Sequence, residues 1–135
     1  MKRILVGFDG SEGSENALNK AMMLISEDGE IVLLAVVPTP SDTNFVDPKT
    51  TEFLRKKAQA LIDAVIKDIG EHDFTVTGMV VEGDIAGKII DVANMLHCDL
   101  IVLGSKGTSE LGTYLLGSIA NKVVQYAHKP VMVVR

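Results

Sequence analysis

The run Ile31-Val32-Leu33-Leu34-Ala35-Val36-Val37 is continuously apolar, too short to cross a membrane, and typical of a strand buried on both faces. The turn signal Asp28-Gly29 precedes it, and a polar loop punctuated by Pro38, Pro40 and Pro48 follows it. Strands of this kind belong to parallel sheets that carry helices on both sides. The run therefore predicts an α/β fold.

Strand-like and helix-like segments alternate on both sides of this run. Ala17, Leu18, Ala21, Met22 and Ile25, for example, recur at the spacing of one helix face. Such alternation predicts right-handed βαβ units, and hence a doubly wound, open, five-stranded parallel sheet of order 3-2-1-4-5 in one domain, 1–135. The predicted strands are 3–8, 30–37, 73–82, 100–103 and 130–135, and the predicted helices are 15–26, about 50–69, 85–96 and 118–128.

Length and composition favour a folded protein of the cytoplasm. The chain has 135 residues, of which 47% are apolar, enough for one hydrophobic core and too many for disorder. Lys2 and Arg3 precede apolar residues, but Gly7, Asp9 and Gly10 end that run too early for a signal peptide. We therefore expect neither secretion nor a membrane partner.

The charged and metal-binding residue types exclude several classes of function. The net charge is −5, and Arg55-Lys56-Lys57 is the only run of three basic residues, predicted to be a solvated helix face. Nucleic acid is therefore not an expected partner. Cys98 has no partner thiol and is predicted to be a small buried hydrophobe. The histidines lack the spacing of a zinc site.

The segment Gly104-Ser105-Lys106-Gly107, followed after nine residues by Gly117-Ser118, indicates a binding site. It joins strand four to helix four, at the point where the predicted strand order reverses. Glycines let the backbone approach a phosphate, and the first N–H groups of a helix favour an anion. Alternatively, Gly104 and Gly107 only shape a tight loop and Ser118 is only an N-cap. Glycine spacing alone leaves both interpretations open.

The pattern G-x-x-G, nine residues, G-S resembles the ATP-binding signature of the universal stress protein family at every fixed position. The resemblance covers the whole chain and implies a stress-response or regulatory protein of the subgroup that binds ATP. Its other matching stretches are Ile4-Leu5-Val6-Gly7-Phe8-Asp9-Gly10-Ser11, Asp99-Leu100-Ile101-Val102-Leu103-Gly104-Ser105 and Lys129-Pro130-Val131-Met132-Val133-Val134.

The resemblance also implies individual site residues. Asp9 corresponds to an Asp near adenine and ribose, although it is alternatively a turn residue that caps the first helix. Val36, or Val37 after a one-residue slip, corresponds to a Val whose backbone contacts adenine, and Ala35 stands where relatives often have His. Lys106 stands where relatives often have His or Arg, and it either reaches a phosphate or is solvated. The implied cofactor-binding set is Gly7, Asp9, Val36, Leu103, Gly104, Lys106, Gly107, Gly117, Ser118 and Ile119.

Metal, partner and activity follow from the same segment and from the last strand. Mg²⁺ or Mn²⁺ is expected to arrive with the triphosphate, because Glu110 is the only acid between Gly104 and His128. Strand five lies at a sheet edge, so its unpaired backbone groups predict a homodimer, which the resemblance also implies. No base–nucleophile pair is evident. A weak ATPase or phosphotransferase, and a nucleotide-free interaction module, are the alternatives, and no motif identifies a downstream protein partner.

Overall fold

The computed structural model describes residues 1–39, 47–105 and 117–135. Within them the chain alternates strictly between strands and helices, as predicted. The elements are β1 (Arg3–Gly7), α1 (Glu12–Leu24), β2 (Glu30–Pro38), α2 (Pro48–Ile69), β3 (Thr75–Gly83), α3 (Ile85–Met95), β4 (Leu100–Gly104), α4 (Ser118–Tyr126) and β5 (Val131–Val134).

The strands form one parallel sheet of order β3-β2-β1-β4-β5, which confirms the predicted fold class. In the register, Gly7 of β1 lies beside Leu34 of β2, and Gly104 of β4 lies beside Val134 of β5. β2 continues past the last β1 pair, because Val36 to Pro38 pair only with β3. The carboxyl ends of all the strands therefore meet at one edge of the sheet.

Two apolar clusters hold the helices against opposite faces of this sheet. Alternate residues of each buried strand point into one cluster or the other, which is why the run 31–37 is apolar throughout. The first cluster joins α1 and α2 to one face through Ile4, Val6, Ala17, Leu18, Ala21, Ile31, Leu33 and Ile62. The second joins α3 and α4 to the other face through Leu5, Val32, Leu34, Ile89, Ala93, Ile101, Leu103 and Val123.

The start of α1 differs most from prediction. The helix begins at Glu12 and not at Glu15, because Ser11 is its N-cap and its side-chain oxygen accepts a hydrogen bond from the Ser14 N–H at 3.2 Å. Gly10 precedes this cap with a φ of +83°, a conformation that favours glycine. The apolar stripe used for prediction starts only at Ala17, so it cannot report the polar first turn.

One predicted surface charge is partly buried, and the cysteine is buried as predicted. Arg55 was expected to be solvated, but its guanidinium forms an ion pair with Glu82 at 2.7 Å, which ties α2 to the end of β3. Cys98 is 1% exposed, and burial raises the pKa of its thiol. No helix in the described ranges combines the length and hydropathy that a membrane span needs.

Candidate functional site

The crevice of this fold lies beyond the carboxyl ends of β1 and β4. The chain leaves β1 toward β2 on one side and leaves β4 toward β5 on the other, so the two connections diverge and leave a gap between them. Eight of the ten predicted site residues belong to the described part, and all eight lie at or just past this edge of the sheet. Lys106 and Gly107 lie outside the described residues.

At the end of β1, packing explains Gly7 and a hydrogen bond in the following turn explains Asp9. A Cβ added to Gly7 would lie 2.7 Å from Cδ2 of Leu103, so glycine here permits close packing between β1 and β4. Asp9 is exposed, and its Oδ1 accepts a hydrogen bond from the Ser11 N–H at 2.9 Å. Asp9 thus stabilises the turn before α1 without being its cap, and it faces solvent at the mouth of the crevice.

At the end of β2, the backbone of Val36 faces the crevice. The Leu34 carbonyl accepts from the Phe8 N–H on the β1 side, whereas the Thr39 N–H donates to Gly83 on the β3 side. Because N–H and C=O groups alternate between the two sides of a strand, Val36 directs both groups toward β1, beyond the last β1 pair. Val37 directs its groups toward β3. The geometry therefore selects Val36 over Val37 as the residue with backbone groups open to a ligand.

At the end of β4, Leu103 is buried, and the first turn of α1 packs against Gly104. A Cβ on Gly104 would lie 2.6 Å from the carbonyl carbon of Gly13, a contact that no side chain tolerates. Gly104 is therefore glycine because two backbones meet there. Sequence reasoning did not place Gly13 at the site, and the only signal for it was the set of small residues Ser11, Gly13 and Ser14.

Two backbone hydrogen bonds hold the segment between β4 and α4 at its ends. The Ser105 N–H donates to the Val134 carbonyl at 2.9 Å, and the Gly117 N–H donates to the Ser105 carbonyl at 2.6 Å. The backbone of one residue, Ser105, therefore connects the end of β5 to the beginning of α4. Sequence reasoning missed this role of Ser105, since backbone bonds between distant residues leave no residue-type signal.

The beginning of α4 is open to the crevice. Gly117 is the N-cap, no side chain among the described residues caps the helix, and its first turn contains no acid. The alternative interpretation, in which Ser118 is only an N-cap, was wrong, because Ser118 is the first helical residue. Ile119 follows and is 36% exposed. Within residues 1–39, 47–105 and 117–135, no side chain therefore accepts from the first N–H groups of this helix, and such groups favour an anionic acceptor.

Chemically, this arrangement is suited to binding. It offers backbone donors at α4, a backbone donor–acceptor pair at Val36 and one carboxylate at Asp9. Within the described ranges, no three His, Cys, Asp or Glu side chains lie close enough together to hold a metal ion. These features define a doubly wound α/β protein with a small-ligand crevice at its switch point.

Comparison with known proteins identifies the family. The model of the universal stress protein family matches residues 1–135, and the chain belongs to that family. Universal stress protein YxiE of Bacillus subtilis is 32% identical over 98% of both chains. The solved structure of hypothetical protein MJ0577 superposes with a TM-score of 0.87 at 29% identity, covering 98% of this chain and 94% of that one.

A more distant structure shares the fold alone. It is a universal stress protein family protein from Arabidopsis thaliana with AMP bound, with a TM-score of 0.69 at 18% identity, covering 99% of this chain and 91% of that one. The likeness shows that the same sheet and helices are present in both chains.

Proposed function

We propose that this protein binds ATP in the crevice between β1 and β4 and acts as a cytoplasmic stress-response regulator. The observation that carries the proposal is the beginning of α4, where a glycine N-cap leaves the first N–H groups open at the switch point. Membership of the universal stress protein family supports the regulatory role. The fold of the AMP-bound neighbour supports an adenine nucleotide as the ligand class.

The base end of the nucleotide lies at β2 in this proposal. Adenine presents an amino donor beside a ring-nitrogen acceptor, which complements the open C=O and N–H groups of Val36. Guanine presents a carbonyl beside an N–H at the same edge. The Val36 carbonyl would then face a carbonyl, and the Val36 N–H would face an N–H. The ribose then lies above β1 near Asp9, and the phosphates lie above β4 at Gly117, Ser118 and Ile119.

The metal ion in this proposal is held through the nucleotide. Magnesium keeps several of its waters and takes phosphate oxygens readily, so a protein cage is not required. Asp9 is the one acidic side chain among the proposed site residues. We expect tight Mg²⁺ or Mn²⁺ binding only when ATP is present, and we expect magnesium titration without nucleotide to give no measurable heat.

The experiment that tests the function starts from protein purified without added nucleotide. Denaturing the protein and separating the released small molecules by chromatography should yield an adenine nucleotide. Calorimetric titration of the nucleotide-free protein with ATP and with GTP should show at least tenfold tighter binding of ATP, equivalent to about 1.4 kcal/mol. Equal affinities would contradict base recognition at Val36, and no binding of either nucleotide would contradict the proposed function.

We also propose a homodimer through β5, which is an edge strand with half-buried side chains on both faces. Met132 and Val134 pack against the first apolar cluster, and Val131 and Val133 pack against the second. What β5 leaves open is its backbone edge, which a second copy can pair.

The register of β5 supplies a selective test of this dimer. The Pro130 carbonyl accepts from the Ile101 N–H, and the Val134 carbonyl accepts from the Ser105 N–H. Because backbone groups alternate between the two sides of a strand, Val133 directs its N–H to the outer edge. Val133→Pro removes that outer donor and keeps the ladder to β4, whereas Met132→Pro removes an inner donor and should unfold the strand. Light scattering should show a dimer for the wild type and a folded monomer for Val133→Pro. A monomeric wild type at micromolar concentration ends this part of the proposal.

A further inference from the structure

We propose that Arg135 contacts the distal phosphates of the bound nucleotide and makes the site prefer ATP to AMP. This inference rests on the proposed function and adds a specificity-determining side chain to it. Arg135 follows the last residue of β5 and lies at the carboxyl edge of the sheet, the edge that bears the crevice. Four features of Arg135 support this role: its connection to α4, its face of the sheet, its place along the edge and its charge.

The connection to α4 runs through the backbone of one residue, Ser105. The Val134 carbonyl, directly before Arg135, accepts from the Ser105 N–H at 2.9 Å, and the Ser105 carbonyl accepts from the Gly117 N–H at 2.6 Å. Gly117 is the N-cap of α4, where the phosphates lie in the proposed function. Arg135 is therefore one residue beyond a hydrogen-bonded chain that ends at the phosphate-binding helix.

The alternation of β5 places Arg135 on the correct face. Val131 and Val133 pack into the cluster that contains α3 and α4, whereas Met132 and Val134 pack into the opposite cluster. Successive side chains of a strand point to opposite faces, so Arg135 continues the series of Val131 and Val133. That series lies on the face of the sheet where α4 begins.

The place of β5 in the sheet determines which phosphates Arg135 can reach. Along the carboxyl edge the strands run β2, β1, β4, β5, with about 4.8 Å between neighbours. With the base at Val36 of β2 and the first phosphates at β4, the phosphate chain extends toward β5. Arg135 is thus at the far end of the ligand from the base, where only a di- or triphosphate has atoms.

The charge of Arg135 suits this position. It is exposed, and none of the ion pairs among the described residues involves it. A guanidinium presents a planar fork of donors that matches two phosphate oxygens. Because the chain carries a net charge of −5, a polyphosphate needs a local cation to offset repulsion, and the first turn of α4 contains no acid to cancel one.

The test compares ATP, ADP, AMP and adenosine by calorimetric titration of nucleotide-free protein. Arg135→Gln should weaken the binding of ATP at least tenfold and that of ADP less. The binding of AMP and adenosine should weaken less than threefold. Arg135→Lys, which keeps the charge and loses the fork, should recover part of the ATP affinity. Lys129→Gln is the matched control, because it makes the same charge change at the opposite end of β5 and should leave every affinity unchanged.

The possible results separate this inference from the proposed function. If the wild type binds no adenine nucleotide, the proposed function fails and the role of Arg135 fails with it. If the wild type binds ATP and Arg135→Gln binds ATP and AMP as the wild type does, only the inference is overturned. Equal losses for ATP and adenosine would also overturn it, since they indicate damage to the site as a whole. A change confined to the monomer–dimer equilibrium, measured by light scattering, would assign Arg135 to the interface instead.

Discussion

Helices α1 and α4 begin at the same edge of the sheet, on opposite faces, and they treat their first N–H groups in opposite ways. In α1 the Ser11 side chain accepts from Ser14, and Glu12 and Glu15 place negative charge beside the positive end of the helix. In α4 the cap is a glycine, and no described side chain or first-turn acid plays either role. The first helix is capped by its own residues, whereas the second has no such partner among the described residues, and in the proposed function the nucleotide takes that place.

The glycines of the two regions differ in the same way. Gly104 is required by the fold, because α1 packs its backbone against it. Gly117 has a φ of −59° and a ψ of 154°, which any residue adopts, so its backbone conformation does not require glycine. In the proposed function, the missing side chain at Gly117 lets a phosphate approach the helix. This contrast predicts that substitutions at α1 change stability and that substitutions at α4 change ligand affinity.

Gly104→Val should give the largest loss, and the loss should be of stability. Its Cβ would lie 2.6 Å from the Gly13 backbone, so α1 must shift away from β4. We expect a fall of about 3 kcal/mol in the free energy of unfolding, measured by urea denaturation. A variant as stable as the wild type would show that α1 is not held where the structure places it.

Gly117→Val should act on the ligand and spare the fold. A branched side chain at the N-cap occupies the space through which a phosphate approaches α4, while its backbone conformation remains allowed. ATP affinity should fall at least tenfold, equivalent to about 1.4 kcal/mol, with urea denaturation close to that of the wild type. If ATP binds the folded variant unchanged, the phosphates lie elsewhere and the contrast between the two helices loses its functional meaning.

Ser11→Ala should show the reverse pattern. It removes the side-chain acceptor that caps α1, which should lower the free energy of unfolding by about 1 kcal/mol. Because α1 is not proposed to hold phosphate, the affinity for ATP measured by calorimetry should stay within twofold of the wild type. Ser118→Ala is the matched change at α4, and it should leave stability unchanged, since Ser118 is not the cap. Loss of ATP binding in Ser11→Ala would mean that α1 also belongs to the site.

At the opposite edge of the sheet, a side-chain carboxylate accepts hydrogen bonds from the backbone N–H groups of β1 and the residue before it. Oδ2 of Asp99 accepts from the N–H groups of Lys2 and Arg3 at 2.9 and 3.0 Å. These bonds, that of Arg3 first, hold the pKa of Asp99 below its ordinary value of 3.8. The stabilisation is therefore present above pH 3.8 and is lost as the pH falls through the lowered pKa of the folded state.

Asp99→Asn should reduce the acid dependence of unfolding below pH 4, seen as a flatter plot of urea midpoint against pH. Asp68→Asn, an exposed carboxylate on α2, is the control and should keep the wild-type slope. Identical slopes for wild type and Asp99→Asn would show that the carboxylate is not held by the first strand. The side chain is exposed, so the change is expected to be small.

Local patterns in the sequence were sufficient to predict the helices and strands, and the eight described site residues all lie at the predicted edge of the sheet. The apolar run 31–37 predicted a doubly buried strand, and the structure buries all of it except Val36, which is half-buried. Helix ends were harder, as at α1, because a polar first turn carries no apolar periodicity. The partial burial of Arg55 was also missed, since its partner Glu82 is 27 residues away in sequence.

The spacing of apolar residues was enough to predict the alternation of strands and helices, because burial on one or both faces dictates that spacing. The alternation in turn predicted the sheet order and the edge at which the described site residues lie. The contacts of those residues became evident only in the folded structure. The structure showed that Gly104 is glycine because α1 packs against it. It also showed that the backbone of Val36, and not that of Val37, faces the gap beyond β1, and that hydrogen bonds of Ser105 join β5 to α4. These roles depend on backbone directions and on contacts between residues distant along the chain, which residue types alone do not encode.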